Sequence, residues 1–152
     1  MLPGTYSPPA GFCLVSGVFD LRPIQQSYVN EACKMSEQEA IKFSPMLRLK
    51  EHGSSFMWNR GEKIPIIIAV GEHDSPTFKK QSKIFYEKLL MILSTDDITS
   101  NHVSFIEMSG EDHFTSIERL EEKEYILTQK ILQTLVNISK EEKKDGAAVV
   151  RF

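Results

Sequence analysis

The stretch "IPIIIAVGEHDSP", Ile64 to Pro76, decides the fold. Its first seven residues are apolar, so neither face of an extended segment is suited to water, and the β-branched isoleucines favour extension over helix. A strand apolar on both faces belongs in the middle of a parallel sheet, where helical crossovers cover it on each side. Directly after it the chain turns polar, and Ser75-Pro76 supplies a helix N-cap followed by a first-turn proline. Phe78, Ser82, Phe85, Leu89 and Ile92 then recur at helical spacing as far as "STDD".

Working outward, "HVSFIE" from His102 reads as a second strand and "MSGEDHF" from Met108 as a polar loop. "YILTQKILQTLVNI" spaces Ile126, Lys130, Ile131, Leu135 and Ile138 as an amphipathic helix. Strand, helix, strand, helix is the pattern of a right-handed βαβ unit, so the fold class is α/β: a mostly parallel sheet with helices on both faces. Upstream, Phe12 to Val15 forms a buried strand that stops at Ser16-Gly17. Pro23 opens a short helix, and Ser36 with Glu39 makes a capping box for another that ends before Ser44-Pro45. The region from Leu47 to Lys63 reads as loop, and the tail from Ser139 to Phe152 loses periodicity and is expected to be frayed or disordered.

The 152 residues suit one domain, and 41% hydrophobic with 26% charged residues is ordinary for a globular chain. A formal charge of -3, from 21 acids and 18 bases spread along the chain, gives no basic patch and argues against nucleic acid as a partner. No apolar run approaches the roughly 18 residues of a membrane span, so no membrane partner is expected. Cys13 and Cys33 lack metal-ligand spacing and read as free thiols in a reducing setting, cytoplasmic and extending to the nucleus.

Asp74 and His113 each follow a predicted strand. In open parallel sheets reactive groups collect at the carboxyl ends of strands. A carboxylate there can hold an imidazole in one tautomer while the other ring nitrogen accepts a proton from a nucleophile. Two readings of Asp74 stand at this point: it pairs with His113, or it caps the helix that begins near Pro76. Asp112-His113 reads equally as a helix-start pair. His73 is expected to face away from its neighbour Asp74, and His52 and His102 to be solvated; no two histidines have metal-ligand spacing.

"LVSGVFDLRPI", "SPML", "IIIAVGEHDSPTFKKQSKIFYEKL" and "DHFTSIERL" with "YILTQKIL" together resemble the second half of the kynurenine formamidases, or arylformamidases, of the α/β-hydrolase superfamily. The resemblance runs from about Gly11 to Ile138, leaving residues 1–10 outside the family pattern and 139–152 as a tail. It implies that Asp74 and His113 are the acid and histidine of a Ser-His-Asp triad. It also implies hydrolysis of N-formyl-L-kynurenine to L-kynurenine and formate in tryptophan breakdown, without metal or organic cofactor. A small formamide or ester is then the substrate of the completed enzyme.

The family's histidine-glycine oxyanion motif and G-x-S-x-G nucleophile elbow have no counterpart in these 152 residues. Ser16, Ser75 and Ser109 lie in the right region, but none has glycine at both minus two and plus two. The chain as given thus lacks the catalytic serine and is expected to be inactive alone, as a C-terminal half: a truncated isoform, an incomplete gene product or a fragment. Two alternatives stand beside this. One is a fragment of another carboxylic ester hydrolase; the other is a non-catalytic form that binds a partner, or itself as a homo-oligomer, through an open sheet edge. With the sheet cut, Ile66, Ile67 and Ile68 are expected to lose part of their cover.

Overall fold

The computed structural model describes residues 9–49, 64–93 and 102–148. Three strands, β1 (Phe12–Val15), β2 (Ile66–Gly71) and β3 (Val103–Met108), form one parallel sheet in the order β1-β2-β3. The register sets Phe12 beside Ile66 and Val15 beside Ala69, then Ile66 beside Val103 and Gly71 beside Met108. Because the pairing is parallel, all three carboxyl ends open on one rim, and Ser16, Asp74 and His113 follow them there.

Between β1 and β2 the described chain is helical in short pieces: α1 (Arg22–Gln25), α2 (Asn30–Cys33), α3 (Glu37–Phe43) and α4, residues 45–49. The helical residues 47–49 correct the loop expected from Leu47, and the rest of that expected loop lies outside the described residues. A proline sits in the first turn of α1, as its sequence demands. The Ser36–Glu39 capping box closes the start of α3 in both directions, with Ser36 Oγ accepting the Glu39 N–H and Glu39 accepting the Ser36 N–H at 2.9 Å. After β2 comes α5 (Pro76–Leu93), and after β3 come α6 (Thr115–Glu118), a 3-10 turn (Arg119–Glu121) and α7 (Ile126–Ala148).

The sheet is packed on both faces. On one, Phe85, Leu89 and Leu93 of α5 lie over Ile66, Ile68 and Val103, joined by Phe19 and Met46. On the other, Tyr125 and Leu127 pack with Ile67, Ala69 and Met108. All six residues of β2 are buried. Ile66, Ile67 and Ile68 are therefore fully covered, a correction of the expectation that they would be left partly bare: alternate side chains go to opposite faces, and each face has its own helix. A fully buried isoleucine or leucine contributes roughly 1.5–3 kcal/mol of burial, so β2 is the energetic centre of the molecule.

α7 departs from its expected register. Leu127 is fully buried and Ile131 packs partly against the core, whereas Ile126 and Leu135 are exposed. The loop after β3 sets the rotation, because the buried Tyr125 just before the helix is held through its hydroxyl against Met108 Sδ, 3.0 Å away. α7 also continues to Ala148, which corrects the disordered tail expected from Ser139 as far as that residue. The segment "SKEEKKDGAA" carries no apolar stripe to reveal a helix, but lysine, glutamate and alanine are strong helix formers that extend one already begun. Cys13 and Cys33 are free thiols, as the spacing implied.

Candidate active site

The rim is assembled from its backbone upward. β2 ends at Gly71, and the Asp74 N–H donates to the Gly71 carbonyl at 3.2 Å, turning the chain so that the carboxylate comes back beneath the strand end. The Gly71 N–H donates to Asp74 Oδ2 at 2.9 Å. Across from it, the loop after β3 passes directly over Gly71: a Cβ there would sit 2.6 Å from the Glu111 carbonyl oxygen. This close approach is possible only for glycine, and it lets the His73 N–H donate to that same oxygen at 2.8 Å. Glu72 ties the same loop from outside, accepting the Gly110 N–H at 2.7 Å and the Ser109 hydroxyl at 2.8 Å. Those two donors, the Gly110 amide foremost, hold the Glu72 carboxyl below the usual carboxylate range.

The loop so fixed delivers His113 to Asp74. His113 Nδ1 lies 2.9 Å from Asp74 Oδ1. The Asp74 side chain is 1% exposed and the His113 side chain 45%, so the acid is enclosed and the imidazole reaches the surface. Phe78 of α5 packs on the ring with centroids 4.7 Å apart, and Phe114 meets it edge-on at 5.6 Å. Asp112, one residue earlier, accepts the Phe114 and Thr115 N–H groups at the start of α6, which lowers its carboxyl, the Thr115 amide foremost. Of the two helix-start residues, Asp112 does the capping and His113 is left for Asp74.

Asp74 is not the cap of α5. Its oxygens accept from Gly71, Ser16 and His113, and it is Ser75 whose hydroxyl accepts the Phe78 N–H, at 3.5 Å. The three serines weighed as nucleophiles are thereby placed. Ser75 caps a helix, Ser109 donates to Glu72, and Ser16 donates its hydroxyl to Asp74 Oδ2 at 2.5 Å, on the carboxylate oxygen away from the histidine. None of these bonds is to His113. His73 is exposed, His102 precedes β3, and His52 lies outside the described residues.

Sequence reasoning missed three parts of this site: the Ser16 bond to Asp74, the glycine beneath the loop, and the anchor of the β1 loop. That anchor is Gln81 of α5, whose Oε1 accepts the Phe19 and Asp20 N–H groups at 2.8 Å each while its Nε2 donates to the Asp20 carbonyl at 3.1 Å. Only Gly71, a glycine closing an apolar strand just before an acid, left a trace in the sequence. Among the described residues no cluster of histidine, cysteine and carboxylate side chains could hold a metal ion.

A buried carboxylate thus meets a surface imidazole at adjacent strand ends. Over 125 residues, 82% of the chain, it is 38% identical to the kynurenine formamidase of Danio rerio and 37% identical to that of Salmo salar. The chain is similar to the kynurenine formamidases over most of its length. It spans 39% of the length of each of these two formamidases. No family model matches it.

Proposed function

We propose that the chain carries the acid and histidine of a kynurenine formamidase, which hydrolyses N-formyl-L-kynurenine to L-kynurenine and formate. The observation that carries this reading is the 2.9 Å contact between the enclosed Asp74 and His113 at the rim. In the completed enzyme Asp74 holds His113 as the Nδ1–H tautomer, and Nε2 takes the proton of a serine supplied by the part of the formamidases that this chain does not span. The serine attacks the formyl carbon. The C–N bond breaks as His113 returns the proton to the departing amine of kynurenine, and water, activated by the same imidazole, releases formate from the formyl-enzyme.

Because the 152 residues contain no G-x-S-x-G, the purified chain is expected to show no turnover of N-formyl-L-kynurenine. Joined to the upstream segment of the Danio rerio formamidase, it should become active. In that chimera Asp74→Asn should cost about 10⁴ in turnover and His113→Ala about 10⁶, while His73→Ala leaves turnover near its starting value. A chimera indifferent to Asp74→Asn and His113→Ala, or silenced by His73→Ala, overturns the assignment.

The sheet edge favours a second reading, a non-catalytic form that binds a partner or a second copy of itself. Among the described residues β1 pairs on one side only, and Phe12 on it is 40% exposed. In either reading we place the chain in the cytoplasm and nucleus, in keeping with two free cysteines; no helix among the described residues is long and apolar enough to cross a membrane.

A further inference from the structure

We propose that Ser16 is a positioning residue, the third member of a hydrogen-bonded chain that runs Ser16–Asp74–His113; the proposal rests on the reading of Asp74 and His113 as the reacting pair. Ser16 lies one residue beyond β1, with its N–H still donating to the Ala69 carbonyl at 2.8 Å, so it sits at the same rim as the other two. It is buried, and its backbone has φ of 46°, a left-handed angle that side-chain-bearing residues seldom adopt. Glycine would take this angle freely but has no hydroxyl. The hydroxyl donates to Asp74 Oδ2 at 2.5 Å. The Gly71 N–H donates to the same oxygen at 2.9 Å.

Among the described residues, two donors on Oδ2 and His113 alone on Oδ1 make the carboxylate asymmetric. One oxygen is held by β1 and β2, and the other is turned toward Nδ1. Rotation of the carboxylate would break both bonds to Oδ2 at once, and the Asp74 side chain is too enclosed for solvent to replace them readily. The backbone strain at Ser16 thus has a geometric consequence, since it brings a hydroxyl from a neighbouring strand to the far side of the acid. Removing that hydroxyl leaves Gly71 as the remaining donor to Oδ2 among the described residues, and the ring loses its fixed partner.

The tautomer of His113 reads this out without any need for turnover. In the full chain labelled with ¹⁵N-histidine, at about pH 9 where an ordinary imidazole is neutral, His113 should appear as the Nδ1–H tautomer. Asp74→Asn should abolish that signature. Ser16→Ala should shift it toward a mixture of tautomers while the amide spectrum of β2 and β3 stays unchanged. Ser16→Gly, which accommodates the left-handed backbone, should do the same and keeps the test sound if the alanine variant fails to fold. Retention of the Nδ1–H signature in Ser16→Gly would mean that the hydroxyl is a satisfied core group and no more, and would overturn the proposal while leaving the acid–histidine pair intact. A wild-type chain with His113 protonated on Nε2, or indifferent to Asp74→Asn, would overturn the pair itself and the role of Ser16 with it.

Discussion

At the scale of single residues, the site depends on what is small as much as on what is charged. Gly71 donates its N–H to Asp74 and lies under the loop that carries His113, and its lack of a side chain is what allows the loop to come so close. In Gly71→Ala the new methyl would stand 2.6 Å from the Glu111 carbonyl oxygen and 3.0 Å from that of Asp112, both backbone atoms that move only with the loop. We expect a loss of about 1–3 kcal/mol, the usual cost of overpacking, visible as a lowered melting temperature in calorimetry. The loop shift should also separate His113 from Asp74. An alanine variant as stable as the parent would show that the loop yields freely.

Among elements, the β2 and β3 loops act as one unit because Glu72 clasps Ser109 and Gly110. The sign of the pH dependence follows from the direction of its shift. The carboxyl is held below its ordinary value in the folded chain, so the clasp contributes its full stability above the unfolded carboxylate range and loses it as pH falls through the depressed folded value. Acid titration of stability, followed by urea melts, should show this limb in the parent and a flatter one in Glu72→Gln. Since Glu72 is exposed, the difference is expected to be small and weakened by salt. An unchanged acid limb in the glutamine variant would place the clasp among hydrogen bonds that contribute nothing measurable.

For the whole molecule, the two faces of the sheet are closed but its β1 edge is not. Four residues of β1 pair with β2 alone among the described residues. Beside that edge Ala10, Phe12, Cys13, Pro65, Ile131 and Leu135 line a mostly apolar groove of about 190 Å³. α7 adds a second, outward stripe of exposed Leu132, Leu135 and Val136, three and four residues apart. Open backbone donors next to apolar side chains favour pairing with another chain. Sedimentation of the purified chain at micromolar concentration is expected to show dimers or larger species, and replacing the exposed Phe12 with lysine to reduce them. A cooperative monomer would show that the sheet tolerates its open edge.

Much of this was legible in the amino-acid order alone. "IPIIIAV" dictated a buried central strand because seven apolar residues leave no face for water, and the alternation of strands and helices dictated a parallel α/β sheet. Ser36, Glu39 and Pro23 announced their helix starts because capping is a local matter of a few residues. Asp74 and His113 could be singled out because parallel strands send their carboxyl ends to one rim. What the order could not say is which of two local roles Asp74 takes, since capping a helix and pairing with an imidazole 39 residues away use the same carboxylate. Tertiary structure decided that, by bringing Ser16 from 58 residues upstream and Gly71 from beneath it onto the same oxygen. The rotation of α7 was likewise decided only in the fold: a helix apolar on more than one side has no unique face in its sequence, and the seat of Tyr125 against Met108 is what chooses one.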